Sequence, residues 1–396
     1  MPPNLSLYLL LILAIGAGFI LGRRDKLKRD RNPQLIPKPF LSGLNFLLNE
    51  KIDKAVEIFT RTIAVSDETL DTHLALGNRV RRQGEIDRAI RIHESLLARS
   101  GLSKKKCASI EIELARDYLS AGLLDRAEQL LRDLARNSTR FEHTARLLLL
   151  DIYERESEWQ AAIGTANELL KKKLFGRDGL GDDSTARCRL KIALAHYYCE
   201  LAECSMKSPD YEQTRELLDQ ASQVDLNNAR VSLALADLAI EQQQFGSAKI
   251  SLERVGQQNS SLIPETLARY HSVCCNLELE DEYYNYLKNC LEKTVHIDVL
   301  IEYARLMRLR TSAEEVRKFI LKQINSQPSI AVVRLWLEMF DEHADKQSLD
   351  VWAIKQSLGP ENPTQIFRCK NCGFSLKQLL WFCPSCKLWG EISRVP

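Results

Sequence analysis

The sequence predicts an all-α protein. A helical-repeat solenoid fills the middle, a transmembrane helix precedes it, and a small cysteine-rich ribbon follows. Three observations carry this expectation. An uncharged apolar run opens the chain, a small-residue motif recurs at 34 to 38 residues, and two C-x-x-C pairs close the tail.

The apolar run covers residues 5–21, LSLYLLLILAIGAGFIL, seventeen residues without a charge. That is the short end of a membrane-spanning helix. Residues 22–31 then carry six Lys/Arg and two Asp, while residues 1–4 carry no charged side chain. A cleaved signal peptide has its positive charge before the apolar core and small residues at a cleavage site. The order here is reversed, so the run is expected to remain as an anchor. The positive flank stays on the cytoplasmic side. The expected topology is therefore a single membrane pass with the bulk of the chain facing the cytoplasm. Eleven cysteines, an odd number spread over 396 residues, agree with a reducing compartment rather than a disulfide framework.

The rest of the composition is that of a soluble chain, 45% hydrophobic and 27% charged. That excludes a polytopic membrane protein, a collagen-like repeat and a largely disordered chain. Lys and Arg total 55 against 53 Asp and Glu, so there is no overall case for nucleic-acid binding.

The repeat is read from four segments, NEKIDKAVEIF, RQGEIDRAIRIH, SAGLLDRAEQLL and RESEWQAAIGTA. Their aligned alanines Ala55, Ala89, Ala127 and Ala162 are 34, 38 and 35 residues apart. Twelve residues before each stand Gly43, Gly77, Ala115 and Leu150, and three residues further on stand Phe46, Val80, Tyr118 and Tyr153. Gly84 and Gly122 fall in the turns. Small residues at two positions let paired helices approach closely, and each pair leaves an apolar face that a neighbour covers. The pattern resembles the tetratricopeptide repeat, a helix–turn–helix unit. Thr214 and Ala248 continue it 34 residues apart, after a step of 52 from Ala162. The excess falls at residues 174–186, LFGRDGLGDDSTA, which reads as a loop. Beyond Asn259 the motif decays, although helical spacing persists to Leu358 and Pro264 suits a first helical turn. About six to nine repeats are expected, with strands confined to the C-terminus.

The positions one and four after the small residue are expected to face the groove of such a solenoid. They are Asn78 and Arg81, Arg116 and Leu119, Asp151 and Glu154. Asn78, Arg81, Arg116 and Asp151 are the candidate partner-binding residues.

After the linker composition GPENPT come Cys369-x-x-Cys372, ten residues, and Cys383-x-x-Cys386. Each C-x-x-C turn presents two thiolates to one side, and two such turns complete a tetrahedron about one metal ion. Gly373 can take the left-handed conformation that closes the first turn. About thirty residues bury too little to fold alone, and one structural metal supplies the missing free energy. The element looks like a rubredoxin-type or zinc ribbon. Lys387 stands where the second turn would carry glycine, and the interval is short for rubredoxin, so zinc is favoured over iron. Phe374, Trp381, Phe382 and Trp389 exceed what this module can bury. It is expected to dock on the last solenoid helices, near Trp336 and Trp352. The other cysteines read as small core residues. No P-loop, G-x-G-x-x-G, H-E-x-x-H or Ser/His/Asp arrangement is present, so a non-catalytic protein is expected. The divisions are an anchor at 1–21, a basic juxtamembrane segment at 22–35, the solenoid at 36–358, a linker at 359–366 and the ribbon at 367–396.

Several stretches are more specific than a generic repeat requires: GRR at 22–24, GLNFLLNEKIDKAVEIF at 43–59, GEIDRAIRIH at 84–93, RDYLSAGLLDRAE at 116–128, NARVS at 228–232, and CKNCGF with WFCPSC. With the anchor–repeat–ribbon order, they resemble the lipopolysaccharide assembly protein B family of Gram-negative bacteria. The resemblance implies an inner-membrane adaptor that works with the membrane protease FtsH. It implies control of the turnover of the deacetylase committing precursors to lipid A, and a link to other lipopolysaccharide-assembly membrane proteins, including a regulator that senses lipopolysaccharide. Two readings stand beside it: a scaffold for envelope-biogenesis enzymes, and a membrane-tethered RNA-binding protein using the five Lys/Arg of the tail.

Overall fold

The computed structural model describes residues 42–43, 45–46, 54, 58, 70–99, 102–171, 184–208, 210–293, 296–326, 330–341 and 367–394. The expected anchor, the basic segment, the linker, Ala55 and Trp352 lie outside them. Among the described residues no helix is long and apolar enough to cross a membrane.

The chain divides into two compact units, residues 1–145 and 146–396. The first holds α1 (Leu70–Arg82), α2 (Ile86–Leu97), α3 (Lys104–Ala121), α4 (Leu124–Asn137) and the start of α5 (Glu142–Glu156). The second continues with α6 (Trp159–Lys171), α7 (Ser184–Lys207), α8 (Tyr211–Val224), α9 (Ala229–Glu241) and α10 (Phe245–Gln258). A 3-10 turn (Ser260–Leu262) leads to α11 (Ile263–Asn276), α12 (Glu280–Lys293), α13 (Ile297–Arg310), α14 (Ala313–Ser326) and α15 (Ile330–Asp341). The ribbon holds β1 (Phe367–Cys369), β2 (Ser375–Leu376) and β3 (Ile392–Arg394), in antiparallel order β2-β1-β3. The strands of the described residues are therefore confined to the ribbon, as expected. Ser184 to Ala186, assigned to the loop from sequence, instead form the first turn of α7.

The small-residue motif is the packing contact of each helix pair. Ala89, Ala127, Ala162, Thr214 and Ala248 are all 0% exposed. Ala115, Ala202 and Ala236 on the partner helices are at most 1% exposed. Gly77 is small for a specific reason: a methyl group there would overlap the His93 ring.

One turn recurs with the repeat. The backbone N–H groups of Glu85, Leu123, Glu158, Asp210, Gln244 and Leu279 each donate to the carbonyl five residues earlier, at Val80, Tyr118, Tyr153, Ser205, Ala239 and Cys274. This is the closing bond of a left-handed helix C-cap. Gly84 and Gly122 occupy its positive-φ position, and Ser157, Gln243 and Glu278 occupy it in later units at φ between 54° and 58°. The repeat thus runs past Asn259, where the motif fades. Its small position there is filled by Tyr283 and then Val316, 1% and 0% exposed. Tyr270 stacks on Tyr283 and on Tyr286 at 5.6 and 4.5 Å, so aromatic packing replaces the close alanine contact. Pro264 does open α11, as expected.

Opposite substitutions test this turn. A side chain in the left-handed region costs about 1 kcal/mol relative to glycine. Gln243 is exposed and an added Cβ at Gly122 meets nothing within 4 Å, so packing does not intervene. Chemical denaturation of the full chain should show Gln243→Gly stabilised and Gly122→Ala destabilised, each by about 1 kcal/mol.

Candidate metal centre

The ribbon is built from two equivalent knuckles. In the first, Cys369 N–H donates to the Phe374 carbonyl and Gly373 N–H to the Cys369 carbonyl, both at 2.9 Å. In the second, Cys383 N–H donates to Leu388 at 2.9 Å and Lys387 N–H to Cys383 at 2.8 Å. Gly373 and Lys387 both have positive φ, 77° and 58°. The knuckles bring the Sγ atoms of Cys369, Cys372, Cys383 and Cys386 within 4.8 Å of one another. Cys369 lies 3.6 Å from Cys386, and Cys372 lies 3.6 Å from Cys383. A tetrahedron with metal–sulfur bonds of about 2.3 Å has edges of roughly 3.8 Å. The four thiols therefore fit one metal ion. The Phe374 backbone N–H lowers the Cys372 thiol to about 6, whereas burial raises Cys369 to about 12. With all four positions supplied by cysteine, the bound metal would act structurally.

The second knuckle is docked on the helices of its own unit. Lys387 departs from the glycine pattern, and its Nζ pairs with Asp151 on α5 at 2.5 Å. Trp389 is 8% exposed, and its Nε1 donates to Glu154 at 2.8 Å. Its ring stacks on His196 at 5.2 Å and meets Tyr197 and Trp159 edge-on at 5.7 and 6.0 Å. Tyr197 also donates to Glu154, at 2.5 Å. Gly390 passes close over α7, where an added Cβ would lie 3.2 Å from His196 Nε2. Further along, the Arg230 guanidinium on α9 lies over the Trp381 ring at 5.5 Å, while its Nη2 bonds both Glu200 and Glu203, at 2.9 and 2.6 Å. Arg394 closes the far edge on Asp298 of α13 at 2.8 Å. Burial raises the Glu154 carboxyl, and burial with the neighbouring Arg230 charge holds His196 well below its usual value.

Among the described residues the ribbon docks on α5, α7, α9 and the start of α13, and not at the expected place beside Trp336. Trp336 belongs instead to a separate cluster with Leu300, Ala304, Val316 and Leu335. The physical reason is aromatic and ionic complementarity: α5, α7 and α9 offer Glu154, His196, Tyr197 and Arg230 to Trp389 and Trp381.

Comparison with known proteins places this architecture. Lipopolysaccharide assembly protein B of Escherichia coli strain K12 is 33% identical over 396 residues, spanning 98% of this chain and 97% of its own. The chain belongs to the lipopolysaccharide assembly protein B family. The Haemophilus influenzae strain Rd protein of the same name is 29% identical over 401 residues, 98% of each chain. Residues 367–393 match the family described as rubredoxin metal binding domain, and residues 112–174 match the tetratricopeptide repeat. Among solved structures, the crystal structure of MamA protein is 16% identical with a TM-score of 0.33, covering 52% of this chain and 97% of that one.

In this member of the family, the four candidate partner residues have separate fates. Arg81 bonds Asp117 at 2.8 Å and Glu113 at 2.9 Å, and Asp117 is fully buried against His93. Arg116 pairs with Glu113 at 2.8 Å. Asn78 is half-buried, and its Oδ1 has no hydrogen-bond partner. Asp151 takes the ribbon. His196, Tyr197, Trp159, Arg230 and Arg394 were not singled out from sequence. Only the surplus of ribbon aromatics pointed to a dock, without saying where.

Two variants separate the metal from the dock. Cys372→Ser should bring metal below one ion per chain and open the ribbon to protease. Trp389→Ala removes a buried aromatic worth about 3–5 kcal/mol, so it should also expose the ribbon to protease while keeping one metal ion. Elemental analysis beside limited proteolysis reads both, and metal loss in Trp389→Ala would show that the dock holds the site together.

His196 gives the dock an expected dependence on acid. His196 in the folded chain accepts a proton less readily than in the unfolded chain, whose value is about 6.5. Its contribution is complete above that pH and is lost as pH falls below it, by up to about 1.4 kcal/mol per unit. Glu154, raised by burial, acts in the opposite sense, so the difference is the test: between pH 7 and 5, melting curves should show the unaltered chain losing more stability than His196→Phe.

Proposed function

We propose that this protein is a non-catalytic adaptor in lipopolysaccharide assembly. It is held at the inner membrane by residues 5–21, with the solenoid and ribbon in the cytoplasm. It brings the lipid A deacetylase to the membrane protease FtsH and thereby sets how much lipid A is committed. The observation that carries this reading is the end-to-end match, 98% of the chain, to proteins named for lipopolysaccharide assembly. The architecture supports it. Helical repeats present protein-binding surfaces, and a membrane anchor raises the effective concentration of client and protease without a new contact. A structural zinc at Cys369, Cys372, Cys383 and Cys386 keeps the ribbon folded, so that Lys387 and Trp389 can hold α5 and α7 in register.

Depletion of the protein should lengthen the half-life of the deacetylase several-fold in a pulse-chase measurement. An unchanged half-life would reject the adaptor role and leave the scaffold reading. A reporter active only in the cytoplasm, fused after Pro396, should be active, and activity of a periplasmic reporter there would reject the topology.

A further inference from the structure

A groove of about 540 Å³ lies beside the ribbon in the second unit, between α7, α9, α11 and Trp381. That volume is in the range of ligand sites. The groove has an apolar wall that includes Met206, Leu233, Ala234 and Trp381. Its lining charges cancel: Lys207, Arg230 and Arg269 face Glu203, Asp237 and Glu241. Two pairs are mutual, Arg230 with Glu203 at 2.6 Å and Arg269 with Asp237 at 2.5 Å. A groove whose lining carries no excess of positive charge does not select nucleic acid or another polyanion. Its ion pairs present both donors and acceptors, which is what a peptide backbone requires of its surroundings.

The repeat itself indicates the occupant. Glu203 and Met206 stand one and four after Ala202, and Asp237 stands one after Ala236. Asp151 and Glu154 hold the same two positions after Leu150 on α5. There they are covered by a polypeptide, the ribbon segment Lys387 to Trp389. The open groove therefore continues an interface at which this chain already binds a segment with an apolar ring. From Arg230 to Glu241, α9 offers a stripe about 16 Å long, room for roughly five extended residues.

We propose that the groove between α7, α9, α11 and Trp381 binds an extended, uncharged peptide segment of a partner protein through an aromatic or aliphatic side chain. The proposal deepens the adaptor reading and rests on it only for the partner's identity. Trp381 forms one wall, so the site exists only while the ribbon is docked.

The test uses the full-length, metal-loaded protein in detergent and fluorescein-labelled, C-amidated Gly/Ser hexapeptides that differ only at a central Trp, Leu, Asp or Lys. Anisotropy should show the Trp and Leu peptides binding saturably and at least tenfold more tightly than the Asp and Lys peptides. Ala234→Phe, which fills the groove, and Met206→Glu, which charges its apolar wall, should each weaken the Trp peptide at least tenfold. Metal content and melting temperature check that each variant is folded. Absence of saturable binding by any peptide would overturn the proposal. So would tightest binding by the Asp peptide, or Trp-peptide binding unchanged in both folded variants. Because peptide affinity is read without the protease or the deacetylase, its failure is distinguishable from an unchanged deacetylase half-life.

Discussion

The C-terminal module depends on four thiols held within 4.8 Å of one another. Its strands are two or three residues long, and its apolar core is Phe367 and Ile392 around the buried Cys369 and Cys383. Burial on that scale does not hold a fold together. Metal coordination does, because the ligands converge only in the folded state. Once the second knuckle is closed, Lys387 and Trp389 project together toward α5. The dock, the position of Trp381 and the groove beside it all follow from that closure.

The same repeat position serves different ends along the chain. In α1 the arginine at this position, Arg81, is held in a largely buried network in which it and His93 share Asp117, while Arg116 of α3 stays partly exposed on Glu113. Removing Arg81 would strand a buried carboxylate, and breaking such a pair is costly even where forming it contributes little net stability. In α5 the equivalent carboxylates, Asp151 and Glu154, receive the ribbon. In α7 and α9 the first of these positions holds Glu203 and Asp237, which line the open groove, each paired with an arginine. A tandem repeat supplies equivalent backbone positions, and local side-chain chemistry assigns each one to stability, internal docking or recognition.

The dock joins elements with unlike electrostatic demands. Trp389 is neutral and can satisfy its one N–H on Glu154, so it is buried without leaving an unpaired donor. Arg230 is 3% exposed and needs both Glu200 and Glu203, with the Trp381 face above it, to compensate its desolvation. His196 is accommodated as the neutral ring, since burial disfavours its charged form and a second cation beside Arg230 would be repelled. This arrangement accommodates an aromatic-bearing segment and favours the neutral His196 ring.

Local patterns by themselves determined the helical repeat, the turn glycines Gly84 and Gly122, and the four metal ligands. In each case the physical cause acts over a short distance: small residues at fixed helical spacing, a positive φ at one turn position, and two thiolates on one knuckle. The pattern faded at Tyr283 and Val316 because stacked aromatics and a branched side chain fill the helix contact without a small residue. Ser157, Gln243 and Glu278 were equally hidden, since the left-handed turn is imposed there by helix packing and not by glycine. Only the tertiary structure decided where the ribbon sits. Trp389 and Glu154 are 235 residues apart, and no local rule selects α5 over α15. That choice is made by an indole that must satisfy its N–H and a lysine that must meet a carboxylate, and only the folded second unit presents both partners side by side.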